Sequence, residues 1–223
     1  MLQITGITTV YRTPDLLKDC YESFREFYPE LPFIIIDNSV DDSCLSLTDK
    51  WVEEGHNITV VNNEKNEGHG DGMHQAIALS NTPYLFIMDS DVVIRRPRLL
   101  EDMMTYMISS IYGVGWLLNL DRGGRNVPDL FTGDIIRYLY PAFMLLNRSL
   151  YYEFPKFTRF GLPPLRAMQE IHDAGLSNKI LVDFPVRVYV THKSGATRSQ
   201  YGDCEDIVDG FKGIKGDMNN PNI

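Results

Sequence analysis

Two carboxylates one residue apart, Asp89 and Asp91, break an apolar run that starts at Tyr84 and resumes at Val92. Ionised groups leaving a buried segment must be hydrated, paired or bound to a cation, because burying them unpaired costs several kcal/mol. Two of them side by side can hold one hard divalent ion and leave positions open for phosphate oxygens. Asp and Ser are also ordinary turn residues, so the remainder of the chain has to decide between a cation site and a polar turn. Three further groups have chemical potential and similar settings: Asp37-Asn38-Ser39 after Phe33-Ile34-Ile35-Ile36, the polar Gly-rich stretch 62–72, and Thr191-His192-Lys193 at the end of a late apolar run.

The elements that carry them are readable from hydrophobic patterning. Residues 84–88 follow the turn signal Asn81-Thr82-Pro83 and read as a strand buried on both faces, of the kind central in a parallel α/β sheet. Strand side chains alternate, so Asp89 and Asp91 are expected to face the same way. Upstream, residues 4–11 form a β-branched strand that runs into Arg12-Thr13-Pro14-Asp15, with Asp15 expected as the helix cap. Leu16, Leu17, Cys20, Phe24 and Phe27 recur at near-helical spacing, and the second strand follows at 33–36. A helix capped near Ser43 runs to about Gly55, a third strand covers 58–61, and helical spacing returns from Met73. Strands alternating with helices in this way predict a doubly wound, mostly parallel α/β sheet. Parallel strands present their carboxyl ends together, so Asp37, the 66–72 loop and Asp89/Asp91 should line one crevice.

Length and composition fit this reading. A chain of 223 residues is long enough for one sizeable domain, or at most two small ones, and 43% hydrophobic with 23% charged residues is ordinary for a soluble globular protein. The net charge of -9 argues against a nucleic-acid-coating surface. No charged segment followed by an apolar one opens the chain and no apolar run is long enough to span a membrane, so a cytoplasmic location is expected. The three cysteines are scattered, as reduced thiols would be, and suggest neither a disulfide frame nor a zinc site.

The second half is less regular. Residues 99–112 predict an amphipathic helix whose Met103, Met104 and Met107 face packs into the core. Residues 114–118 predict a strand, and 121–134 a loop that is either a lid over a bound ligand or a plain surface loop. Pro163-Pro164 opens a helix that Gly175 closes. A last strand is expected over 181–190, and the polar, Gly-rich tail from Gly202 is expected to be partly disordered.

Thr9 and Tyr11 at the end of the first strand, Asp37-Asn38-Ser39, Asn66-Glu67-Gly68 before a helix, and Asp89-Ser90-Asp91 stand in an order that resembles the nucleotide-sugar-dependent glycosyltransferases of the GT-A fold, family 2 in particular. The resemblance implies one GT-A-like domain, with residues 1–95 binding the donor, 96–200 the acceptor and 201–223 a tail. It implies transfer of a sugar from a nucleoside diphosphate, with UDP favoured, to a carbohydrate or related acceptor. Asp91 is then expected to bind Mn²⁺ or Mg²⁺, Asp89 to reach the ribose or the metal, and His192 to complete the metal shell. Asp37 would accept a ring N–H of the base, favouring uracil, thymine or guanine over cytosine. Tyr11 would stack on that base, Thr9 would line its site, and Lys65, Asn66 and Gly68 would touch ribose or phosphate. Arg198 would reach the diphosphate. His69, His74 and His172 have no such support as ligands, although His69 lies in the Gly-rich loop, where it could touch the donor.

One feature departs from the family pattern. An inverting transfer needs a general base near the acceptor hydroxyl, commonly one of an acidic pair opening the helix before the final strand. Here that helix opens with Gly161-Leu162-Pro163-Pro164-Leu165, and Glu170 and Asp173 lie well past its start. Asp134 is the candidate base in their place, and a retaining transfer that needs no protein base is the alternative. Two other functions compete: a nucleotide-sugar-binding protein without turnover, and a phosphotransferase of the haloacid-dehalogenase type. The second is disfavoured because three strand–helix units precede Asp89.

Overall fold

The computed structural model describes residues 2–128, 130–158 and 161–193. Strands and helices alternate through the first half as β1 (Ile4–Val10), α1 (Pro14–Phe27), β2 (Phe33–Asp37), α2 (Leu45–Glu53), β3 (Ile58–Asn62), α3 (His69–Leu79) and β4 (Tyr84–Met88). The second half contains β5 (Val92–Ile94), α4 (Leu99–Met104), β6 (Gly113–Leu120), β7 (Ile136–Asn147), α5 (Arg148–Tyr151), α6 (Leu165–Asp173), α7 (Ser177–Ile180), β8 (Leu181–Asp183) and β9 (Val190–His192). Seven strands form one sheet in the order β3-β2-β1-β4-β7-β6-β8, and β5 pairs with β9 in a separate ribbon. Only β7 runs against its neighbours in the larger sheet.

Both faces of the sheet are buried, and period-2 alternation sorts the side chains between them. Ile4, Val10, Phe86 and Met88 join one apolar cluster with Leu17, Cys20, Tyr21 and Phe24 of α1 and Trp51 of α2. Ile7, Leu85 and Ile87 join the other with Met73, Ala76 and Ile77 of α3 and Met168 and Ile171 of α6. Each Ile, Leu, Val, Phe or Met among them is worth about 1.5–3 kcal/mol when fully buried, which fixes the register of the central strands.

Several expected elements are redrawn. The apolar run after Tyr84 is two strands, because Val92 N–H bonds Asp89 O at 3.0 Å in a tight turn and β5 leaves the main sheet. The last strand is split by Pro185 and a 3-10 turn over Val186–Val188. The helix from Leu99 ends at Met104, although Met103 and Met107 are buried as expected. Thr13, not Asp15, holds the cap position of α1, since Pro14 takes the first helical place and Asp15 falls in the first turn. Helix α3 starts four residues earlier than Met73, at His69, after Gly68 turns the chain at φ 93°. Its first turn is crossed closely by residue Thr158, whose backbone lies 2.5 Å from where a Cβ on Gly70 would stand.

The pairing of β6 with β7 slips between Gly115↔Met144 and Leu117↔Leu139, so Trp116 faces the bulged segment of residues 140–143. Pro141, with no N–H to donate, sits inside that bulge. Beyond it, the remainder of β7 projects past the carboxyl end of β4, whose last residue pairs with Phe143.

Candidate active site

Asp89 and Asp91 converge through the turn rather than through strand alternation. Asp89 N–H donates to Ala142 O of the β7 bulge at 2.9 Å, which fixes the start of the turn. The third group arrives through the ribbon: Val92 pairs with His192, and Lys193 N–H donates to Asp91 O at 3.0 Å. Ligand atoms of Asp89, Asp91 and His192 thereby lie within 4.8 Å of one another. Asp91 is 8% exposed, and Oδ1 of both carboxylates is buried without a well-aligned hydrogen bond. His192 Nε2 stands 3.1 Å from Asp91 Oδ1. Adjacent ligands on a cation with bonds of about 2.1 Å lie about 3 Å apart, so the spacing suits two groups sharing an ion. Two carboxylate oxygens and an imidazole nitrogen are donors that Mn²⁺ or Mg²⁺ accepts.

A second histidine closes on the same carboxylates. His69, the first residue of α3, places Nε2 2.9 Å from Asp89 Oδ1. Burial works against ionised Asp89, yet the charges of His69 and His192 outweigh it and lower its pKa. Burial also disfavours the two imidazolium ions, but Asp89 raises the pKa of His69 and Asp91 that of His192.

At the other end of the crevice Asp37 is buried at the end of β2, and burial raises its pKa despite hydrogen bonds from Ser39. Both the backbone N–H (2.8 Å) and the hydroxyl of Ser39 donate to Oδ1. Asn38 ties this strand end to the Gly-rich loop, donating to Gly68 O at 3.3 Å and accepting from Asn63 at 2.8 Å. Thr9 is buried on the adjacent strand, and its Cγ2 lies 2.9 Å from a Cβ built on Gly72. Beside it, the Arg12 guanidinium covers the Tyr11 ring at 5.1 Å and pairs with Asp41 at 2.8 Å. Arg12 and Val40 both take left-handed backbone conformations, φ 55° and 63°, uncommon for such residues.

A family model for glycosyl transferase family 2 matches residues 6–155. The chain belongs to that family. No curated protein matches it significantly in sequence. Among solved structures it resembles the mannosyltransferase PcManGT from Pyrobaculum calidifontis in complex with GDP-Man and Mn²⁺, with TM-score 0.63 and 15% identity over 82% of this chain and 55% of that one. It also resembles S. aureus TarS 1-349 in complex with UDP-GlcNAc (TM-score 0.61, 18% identity, 85% and 58%). GalNAc-T7 with UDP, GalNAc and Mn²⁺ is similar again (TM-score 0.64, 11% identity, 83% and 43%). The chain thus spans between 43% and 58% of the length of these three proteins. The shared architecture is the GT-A fold, and no helix among the described residues is long and apolar enough to cross a membrane.

Within this family 2 domain the other expected residues are dispersed. Lys65 is exposed and pairs with Glu67 at 3.4 Å, while Asn66 Oδ1 accepts Gly68 N–H at 3.0 Å and so shapes the turn into α3. Asp134 lies just before β7, at the far end of the overhang, in an exposed cluster apart from the aspartate turn. Its carboxylate takes Arg122 Nε at 2.6 Å and His172 Nε2 at 2.7 Å, and Arg122 also grips Asp173. Arg122, then His172, lowers the pKa of Asp134, which weakens it as a proton acceptor. Arg198 and the tail from residue 201 lie outside the described residues. Sequence reasoning assigned His69 no partner; its position directly after Asn66-Glu67-Gly68, at a helix start facing the carboxyl end of β4, was the available signal.

Proposed function

We propose that this chain is a metal-dependent glycosyltransferase that moves a sugar from a nucleoside diphosphate, UDP favoured, to a carbohydrate or related acceptor. The observation that carries the reading is the convergence of Asp89, Asp91 and His192, with buried carboxylate oxygens lacking aligned partners, at the sheet edge where Asp37 also ends its strand. Family membership and the Mn²⁺ and nucleotide sugars bound by the similar structures support it.

In this reading Asp91 and His192 hold Mn²⁺ or Mg²⁺, and Asp89 either joins them or turns to the ribose while His69 orients its carboxylate. A bound divalent ion would supply positive charge opposite the departing diphosphate. Asp37, with Oδ1 held by Ser39, keeps its remaining acceptor capacity for a ring N–H, and Tyr11 offers a stacking face. Gly68 and Asn66 bring backbone close to the ribose, with Lys65 at its solvent side.

Asp134, engaged with Arg122 and His172, is a weakened candidate base, and a front-face transfer, in which the leaving phosphate receives the acceptor proton, is the alternative that asks for no protein base. The test is a donor-hydrolysis screen across nucleotide sugars with Mn²⁺ and Mg²⁺, comparing wild type with Asp91→Ala. Metal-dependent release of nucleoside diphosphate that Asp91→Ala abolishes supports the transferase; nucleotide-sugar binding with no turnover on any donor makes the chain a binding protein.

A further inference from the structure

We infer that the hollow beyond Trp116 is a subsite for a neutral pyranose ring of the acceptor, an inference that rests on the proposed transferase activity. The hollow has a volume of about 360 Å³ and is walled by Trp116, Asp183, Phe184, Pro185 and Arg187 among others. Its position follows from topology. Strands β6 and β8 run parallel to each other and in the same direction as β4, so the hollow after β8 opens at the same edge as the aspartate turn.

A chain of ring contacts, with Phe143 buried beneath it, links the two places. The His192 ring lies 5.7 Å from Phe143 and 6.0 Å from Tyr140, and these lie 6.2 and 5.3 Å from Trp116. All three aromatic residues belong to the slipped pairing of β6 with β7, the kind of irregularity that re-aims side chains beside active sites.

The lining is chemically two-sided. Trp116, Pro185 and Val188 offer apolar surface to the C–H face of a sugar. Asp183 supplies acceptors for hydroxyls: Oδ1 takes Leu117 N–H at 3.1 Å, and a carboxylate has capacity for more. Arg187, whose guanidinium lies 4.7 Å over the Trp116 ring, supplies donors. One acid and one base in a single hollow suit a neutral polyol better than an anion. Apolar walls with a few convergent polar groups are the usual make-up of small-ligand sites.

The chain has only two tryptophans, and Trp51 is core, 3% exposed. In a Trp51→Phe background, emission therefore reports Trp116. Methyl glycosides of glucose, galactose, mannose and N-acetylglucosamine are titrated, with glycerol at equal concentration as the solvent control. At least one glycoside should give a saturable emission change, and Asp183→Asn and Arg187→Ala should each raise its midpoint at least fivefold. Linear, glycerol-like responses to all four, or a midpoint unmoved in both variants, would overturn the subsite. If Trp51→Phe does not fold, wild type is compared with Trp116→Phe, and a saturable change present in both excludes Trp116. Calorimetry with Mn²⁺ and UDP, GDP or dTDP separates the two readings: a bound nucleotide without a glycoside response removes the subsite alone, whereas absence of Mn²⁺-dependent binding of all three removes the transferase and the acceptor site with it.

Discussion

Asp37→Asn should exchange the base preference of the donor site. In the native chain Ser39 donates twice to Oδ1 of Asp37, from its N–H at 2.8 Å and from its hydroxyl. An asparagine in this place must put its oxygen where those donors point, which turns its NH₂ toward the base. Uracil N3–H then meets a donor instead of a carboxylate. The lost bond to a charged acceptor is worth about 1.5–3 kcal/mol, and an unpaired buried donor adds about 1–3. A combined loss of about 3 kcal/mol is roughly 100-fold in affinity. Cytosine presents an acceptor at N3, so cytidine should bind the variant more tightly than it binds wild type. Calorimetry or NMR titration with metal-free uridine and cytidine isolates the base from the diphosphate. Burial raises the pKa of Asp37, with Ser39 only partly offsetting it. A carboxyl raised in the fold stabilises it below the unfolded pKa, and that stability is lost as pH rises through the folded value. The neutral amide should therefore be at least as heat-stable as wild type at pH 7, so weakened uridine binding is not unfolding. Uridine affinity of wild type should also fall as the pH drops toward the ordinary carboxylate value of 3.8, starting above it, while the variant stays flat. Unchanged uridine affinity, or equal losses for both nucleosides, would refute the assignment.

Asp91→Ala should weaken Mn²⁺–UDP binding about 100-fold and His192→Ala about 10-fold, with the melting temperature of the metal-free protein nearly unchanged; a large drop in that temperature would make His192 a core residue. Gly70→Ala should cost about 1–3 kcal/mol in denaturant unfolding because its Cβ meets the Thr158 backbone at 2.5 Å, and full stability would show that residue 158 does not cross α3 so closely. Asp134→Asn should slow transfer less than tenfold, its carboxylate being spent on Arg122 and His172. A thousandfold loss, about 4 kcal/mol, together with inverted product stereochemistry by NMR would instead make it the base.

What the sequence discloses here depends on how far apart the deciding partners are. Leu16, Leu17, Cys20 and Phe24 announce α1, and 33–36 announces β2, because each pattern is local and both faces of the sheet are buried. The aspartate pair is equally visible, since charge breaking an apolar run has few explanations. The division into β4 and β5 is not, because apolarity continues across the turn and the choice is made by β9, about a hundred residues later. His69 stays hidden for a related reason: glycines on both sides read as loop, and only the packing of α3 against β1 and β2 starts the helix there. Pro185 and Pro141 were local signals of a strand break and a bulge, and both mark where the structure departs from a plain strand.

The reversed strand explains why the two halves of the site differ in legibility. Strands β1 to β4 run parallel, so each delivers its following residues to one edge, and the groups proposed to bind the donor appear in the sequence as polar residues ending apolar runs. The opposite wall requires chain that extends past that edge. Strand β7 provides it by running antiparallel between β4 and β6, entering over the crevice at Ile136 and reaching β4 only at Phe143. Its side chains there lie in mid-strand, where no break in patterning marks them, and the bulge at 140–143 turns Tyr140 and Phe143 toward His192. That same bulge supplies the Ala142 carbonyl that holds Asp89 N–H at 2.9 Å. A change in the bulge should therefore disturb the aspartate turn and the packing of Tyr140 and Phe143 against His192 together, because a single backbone hydrogen bond ties the turn to the bulge.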